Sequence, residues 1–275
     1  MKALSTFGAN ARRDVRGVFL DIDDTLTSEG RLTAAAYSSL ERLAAAGILV
    51  VPITGRPAGW CDHIARMWPV EGVVGENGAF YFRYDRVRRQ MRKRYLAGDD
   101  ERRATRAKLD ALKELILSQV PGSAVSSDQH YRETDLAIDF CEDVERLPPS
   151  AVARIVALFE EAGARAKVSS IHVNGWFGAY DKLGMTRTLM RECFGIDLDA
   201  DRERFVFVGD SPNDAPMFAY FPHSVGVANI RDFGGELDAE PAYVCEARYG
   251  EGFTELVDAL LAAVPPTHRN MFPCP

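Results

Sequence analysis

"GVFLDIDDTLT", Gly17 to Thr27, is an apolar run that ends in three acids and two threonines. Asp21, Asp23 and Asp24 would stand together at the mouth of a buried strand, where carboxylates repel one another and desolvation is costly. A cation or a reaction is needed to justify that arrangement. Three other apolar runs share its texture: "GILVVPI" (Gly47 to Ile53), "GVVG" (Gly72 to Gly75) and "RFVFVGD" (Arg204 to Asp210). They lack the alternation of a half-exposed sheet and so read as strands covered on both faces. Helical spacing lies between them, from Thr33 to Ala46 with Gly47 as a stop and from Asp181 to Phe194 with Gly195 as a stop. Alternating strand and helix predicts an α/β fold built on a doubly wound, Rossmann-like parallel sheet.

The texture changes between Tyr81 and Trp176. "FYFRYDRVRRQMRKRYL" reads as an exposed hairpin, Asp100 to Val120 as an amphipathic helix, "RETDLAIDF" as an alternating strand, Pro149 to Ala162 as a helix and "AKVSSIHVNGWF" as further strand. The parallel-sheet pattern resumes after Asp181. The expected organisation is a core domain of residues 1–82 and 178–275 with an inserted α+β cap over residues 83–177.

Four polar clusters follow the apolar runs: "DIDDT" (Asp21 to Thr25), "TGR" (Thr54 to Arg56), "DK" (Asp181, Lys182) and "GDSPND" (Gly209 to Asp214). The carboxyl ends of strands in an open parallel sheet face one crevice, so three clusters should converge there, with Lys182 entering at the start of the next helix. One anionic group bound beside Mg²⁺ accounts for all four. Hard oxygen ligands such as Asp21 and Asp210 suit that ion. Lys182 brings a point charge, and the Thr54 hydroxyl and the Gly55 N–H can donate to phosphoryl oxygens.

In this order the four clusters resemble the motifs of the haloacid dehalogenase superfamily of phosphotransferases. A cap between the second and third motifs resembles subfamily IIB, which includes Cof-like sugar phosphatases, sucrose-phosphate phosphatase and mannosyl-3-phosphoglycerate phosphatase. The resemblance implies that Asp21 is a nucleophile that forms an aspartyl-phosphate and that Asp23 is the general acid and base. It implies further that Thr54 and Lys182 hold the transferring phosphoryl group. Mg²⁺ would be held by Asp21, the Asp23 carbonyl and Asp210, with Asp214 supporting it through its waters and Asn213 nearby.

Around the cap junctions, "GENGAF" (Gly75 to Phe80) and "HVNGWFGAYDK" (His172 to Lys182) offer Asn77, His172, Asn174 and Trp176, a mixture of hydrogen bonding and ring stacking suited to sugars. With Gly55, Arg56 and Asn213 these are the candidate substrate-binding residues. "DLDAD" (Asp197 to Asp201) begins like a calcium loop but has Arg202 at the sixth position and Val208 at the twelfth. Seven basic residues between Arg83 and Arg94 read as the solvated face of the hairpin. The histidines at 63, 130, 172, 223 and 268 show no ligand spacing.

Net charge of −7 and a pI near 5.4 argue against a nucleic-acid or anionic-membrane partner. Five scattered cysteines without C-x-x-C spacing suggest neither a disulfide framework nor a zinc site and fit a reducing cytoplasm. No stretch reads as an export signal or a membrane span, and "PPTHRNMFPCP" reads as a loosely held end. The expected activity is Mg²⁺-dependent hydrolysis of a small phosphorylated metabolite, a sugar phosphate by preference. A phosphomutase would use the same nucleophile. A non-catalytic phospho-aspartate signalling module is the rival from another class, although receivers are about half this length.

Overall fold

Gly17–Leu20, the strand that opens the acidic stretch, lies inside a six-stranded sheet in a computed structural model that describes residues 1–169, 171–235 and 237–263. The proline-rich tail, with His268 and Cys274, lies outside the described residues. The sheet contains β1 (Lys2–Ala3), β2 (Gly17–Leu20), β3 (Leu49–Pro52), β11 (Phe205–Gly209), β12 (His223–Gly226) and β13 (Tyr243–Val244). Their order is β1-β13-β12-β11-β2-β3, and every pairing is parallel.

Period-two alternation sends the side chains of each central strand to opposite faces. Val18, Leu20, Val50, Val206 and Val208 enter one apolar cluster, and Phe19, Val51, Phe205 and Phe207 enter the other. Helices Ala34–Ala45, Ala58–Met67 and Tyr249–Leu261 cover the first face, and Lys182–Phe194 and Ala215–Tyr220 cover the second. This explains why the strands read as continuous apolar runs. Helix ends follow their caps: Thr33 accepts from Ala36 N at 3.3 Å, and Gly195 ends its helix in the left-handed region with φ 66.

The third apolar run meets the parallel expectation at a single bridge only. β4 (Val73–Gly75) pairs antiparallel with β5 (Phe80–Asp85), which pairs with β6 (Gln90–Tyr95), and meets the main sheet through an isolated bridge from Ile53 to Val74. Three residues suffice because the chain then turns back through left-handed Glu76 (φ 42), Asn77 (φ 57) and Gly78 (φ 104). Nor is the hairpin a free-standing one. Phe80 and Phe82 are buried in one core cluster and Tyr81 in the other. Among its basic residues, Arg83 pairs with Glu71, Lys93 with Asp62, and Arg92 and Arg94 with Glu192. Aromatic residues on successive positions thus bind the hairpin to the core face while its charges find partners on two core helices and the loop before β4.

A second, antiparallel sheet has the order β7-β8-β10-β9, from β7 (Ala124–Val125), β8 (Leu136–Asp139), β9 (Arg165–Val168) and β10 (His172–Trp176). Helices Asp99–Gln119 and Pro149–Glu161 pack on it through Leu109, Ile116, Ile155 and Phe159. "AKVSSIHVNGWF" contributes to two antiparallel strands, and "RETD" of the expected strand is irregular backbone ahead of β8. Gly175 is needed where β10 crosses the helix, since a Cβ there would fall 2.0 Å from the Phe159 ring. "DLDAD" forms a short helix with Asp197 capping Asp199 N at 3.0 Å. Among the described residues no helix is long and apolar enough to cross a membrane, and Cys61, Cys193 and Cys245 are free thiols.

Candidate active site

Sheet register sets the site. Leu20 of β2 is paired with Pro52 of β3 and with Val208 of β11, so Asp21, Thr54 and Asp210 leave the sheet at one edge within two residues of the paired row. Asp181 caps the next helix by accepting from Gly184 N at 2.7 Å, which makes Lys182 its first residue. The Lys182 Nζ donates to Asp21 Oδ1 at 2.7 Å and to Asp214 Oδ1 at 2.8 Å. Residues 161 positions apart are thereby in contact.

Asp21, Asp210 and Asp214 are all buried, and one oxygen from each lies within 4.8 Å of the others. Thr25 Oγ1 donates to Asp210 Oδ1 at 3.1 Å, and Asn229 Nδ2 to Asp210 Oδ2 at 3.3 Å. Asp214 Oδ2 accepts from Asp210 N at 3.2 Å, inside a turn that requires Gly209, because a Cβ there would sit 2.3 Å from that oxygen. The resemblance cast Asp214 as a support reached through metal-bound waters. In the structure it holds Lys182 and the turn directly.

Burial, reinforced by Asp214 and Asp23, raises the Asp21 carboxyl to about 7 against the pull of Lys182. Burial together with Asp21, Asp214 and Asp24 pushes Asp210 well above the usual carboxylate range. At Lys182, burial disfavours the charge, but Asp21 and Asp214 outweigh it and hold the ammonium above the ordinary lysine value. Three buried carboxylates face one ammonium, and their oxygen-only donor set fits a hard divalent cation.

Beside the acids, Thr54 is fully buried, donates its N–H to Val74 O at 2.9 Å and accepts from Arg56 N at 3.0 Å. Arg56 grips Asp23 through Nε at 3.0 Å and Nη2 at 2.8 Å, with its guanidinium 4.6 Å over the Trp60 ring. A cavity of about 370 Å³ opens above these groups. Asp21, Asp23, Gly55, Arg56, Asn77 and Asn213 line its core side, and His172 and Asn174 its cap side. The buried Asn77 Nδ2 has no hydrogen-bond partner among the described residues and stands ready for a ligand. His172, buried beside Arg132 and Arg56, has its imidazole drawn down to about 4 although its Nε2 lies 2.8 Å from Glu142 Oε2.

Trp176 does not line this cavity. It follows Asn174 by two residues on the same face of β10, and that rise carries it past the opening to stack on Tyr180 at 5.7 Å, within the core cluster. Conversely, Arg132, Lys167 and Asn229 are among the lining residues that went unnoticed in the sequence. Arg132 was hidden in a stretch read as strand. Its side chain is ion-paired with Asp128 and Asp135 and donates to Gly55 O at 3.0 Å. Lys167 is an exposed cation of β9 beside the cavity mouth. Nothing in its local sequence distinguishes it from a surface lysine.

Residues 18–146 match the haloacid dehalogenase-like hydrolase family. Phosphoglycolate phosphatase of Methanospirillum hungatei is 28% identical over 256 residues, covering 88% of this chain and 95% of that protein. The enzyme of the same name from Haloarcula marismortui is 28% identical over 250 residues, covering 89% and 96%. Among solved structures, Thermoplasma acidophilum 0175 aligns with a TM-score of 0.69 at 19% identity over 90% of this chain and 98% of that one. The sucrose-phosphatase of Synechocystis, solved with sucrose and phosphate, aligns with a TM-score of 0.60 at 14% identity over 90% and 98%. That family match spans just under half of this chain, and the solved structures named above share its fold.

Proposed function

We propose that the protein hydrolyses a small phosphorylated metabolite through an aspartyl-phosphate on Asp21, with Mg²⁺ at Asp21, Asp210 and the Asp23 carbonyl. The observation that carries this reading is the contact of Lys182 with both Asp21 and Asp214 beside Asp210. Bound Mg²⁺ would neutralise charge on the acids and on the phosphoryl oxygens. Lys182 fixes one Asp21 oxygen, and the carboxylate attacks phosphorus as the bond to the leaving oxygen breaks. Asp23 delivers a proton to that oxygen. It then takes a proton from the water that attacks phosphorus, the bond to Asp21 breaks, and phosphate leaves with the nucleophile restored. Arg56 orients Asp23, and Thr54 with the Gly55 N–H receives the phosphoryl oxygens. Inorganic phosphate as product, rather than a rearranged phosphate ester, separates this course from a mutase, and prompt turnover separates it from a signalling module.

The cap is the β7-to-β10 sheet with its two helices, and we place its boundaries near Leu96 and Phe177, since the β5–β6 hairpin packs on the core. Two features favour a substrate with a second anionic end, of the phosphoglycolate kind. Lys167 offers a cation across the cavity from the phosphate cradle, and the relatives named above are phosphoglycolate phosphatases. A sugar phosphate is the second reading, supported by the amides of Asn77 and Asn174 and the imidazole of His172. The test is phosphate release across phosphorylated acids, sugar phosphates and nucleotides, with Mg²⁺ and with EDTA. Release from none of them in Mg²⁺, or equal release in EDTA, would overturn the proposal.

A further inference from the structure

We propose that Glu76 is a positioning residue that couples the seating of the cap to the geometry of the phosphate-binding turn, a role that rests on the phosphatase reading above. Glu76 is fully buried in the left-handed turn that follows β4, and its N–H donates to Arg56 O at 3.2 Å while the next N–H, of Asn77, donates to Thr54 O at 3.1 Å. Its backbone therefore belongs to the "TGR" turn. Its side chain belongs to the cap.

Oε1 accepts from Ala58 N at 2.9 Å and from Glu133 N at 2.9 Å. Oε2 accepts from Thr134 N at 2.6 Å, from Asp135 N at 3.2 Å and from Thr134 Oγ1. One donor is thus the first N–H of the core helix Ala58–Met67, whose N-cap Pro57 supplies no side-chain hydrogen bond, and four are cap donors. The same cap segment carries Arg132, which reaches Gly55 O, and Asp135, which accepts from Arg132 at 3.1 Å and from Asn174 Nδ2 at 3.2 Å. Arg132 and Asn174 line the cavity opposite Asp21. An unbroken chain of contacts runs from the phosphate turn through Glu76 to two cap residues that face the reacting groups.

The physical consequence is a discrete switch rather than a soft hinge. A buried carboxylate is tolerated only while its lone pairs are used, and its charge-assisted hydrogen bonds fail steeply with distance. Lifting the cap removes four of five donors together, so intermediate positions leave a charge both dry and unpaired. The cap is either seated, with Arg132 and Asn174 in place, or released with water at Glu76.

The test uses the whole chain and two readouts. In native-state trypsin digestion, Glu76→Gln, whose amide would face the Thr134 and Asp135 N–H groups, should speed cleavage after buried Arg132 about tenfold, and Thr134→Val about threefold. Cleavage after exposed Arg103 should stay unchanged in both. This readout needs no activity, so it judges the latch even if no phosphate ester is turned over. In phosphate release from 2-phosphoglycolate or p-nitrophenyl phosphate, Glu76→Gln should lower kcat/KM at least tenfold, and Arg132→Ala should add less than threefold on top of it, because both act through one contact chain. Uniform acceleration at Arg103 and Arg132, unchanged cleavage, or multiplicative losses in the double variant would overturn the proposal. If Glu76→Gln does not fold, Thr134→Val paired with Arg132→Ala gives the same cycle.

Discussion

At the scale of single residues, the site is a problem of charge balance solved by contacts. Asp21→Asn keeps the shape and the Lys182 contact but removes the nucleophile, and phosphate release should fall by roughly 10³-fold or more with the thermal midpoint preserved. Activity within tenfold of the parent would refute the assignment of the nucleophile. Lys182→Met strands Asp21 and Asp214 without their shared cation, so urea denaturation should show a loss of about 3–5 kcal/mol, and Asp214→Asn in that background should recover part of it. Lys167→Ala is expected to raise KM for a phosphorylated acid about tenfold while sparing p-nitrophenyl phosphate, and an equal effect on both substrates would remove Lys167 from recognition of the second anion. The gathering of Asp21, Lys182 and Asp210 was legible in the sequence, because these are unusual choices at the ends of apolar runs. Lys167 was not, because a lysine on a strand carries no local mark of what it faces.

Elements explain which expectations held and which bent. Strands β2, β3 and β11 read directly from apolar runs, since both faces of each are covered and composition alone reports that. β4 read the same way yet pairs antiparallel, because three left-handed residues after it reverse the chain, and only one of them is glycine. On β10, His172 shows how burial sets protonation. Burial and the nearby Arg132 and Arg56 depress its pKa from 6.5 to about 4. Between those values the unfolded chain binds a proton that the folded chain refuses, so its contribution destabilises the fold as pH falls from 6.5 and levels off below about 4. Denaturation midpoints measured from pH 7 to pH 4.5 should therefore fall less in His172→Asn than in the parent, by up to roughly 3 kcal/mol at the acid end. Parallel pH profiles for the two proteins would show that His172 titrates normally.

For the molecule as a whole, acids that meet only in the folded chain would link a bound cation to stability. Mg²⁺ at about 100 times its dissociation constant should add roughly 2.7 kcal/mol, seen as a rise of several degrees in Tm, and the rise should vanish in Asp210→Asn and on addition of EDTA. An equal rise in Asp210→Asn would place the ion elsewhere. The amino-acid sequence alone determined the doubly wound core, the presence of an insert and the row of acids at one sheet edge, because burial, strand periodicity and helix capping are local and leave a pattern in neighbouring residues. Only the tertiary structure decided that the basic hairpin packs on the core, that Trp176 turns away from the cavity, that Arg132 and Lys167 line it, and that Glu76 meets the cap segment. Those outcomes depend on contacts such as Glu76 with Glu133, 57 positions apart, and on which side of a strand meets which neighbour, and no local run of residues encodes either.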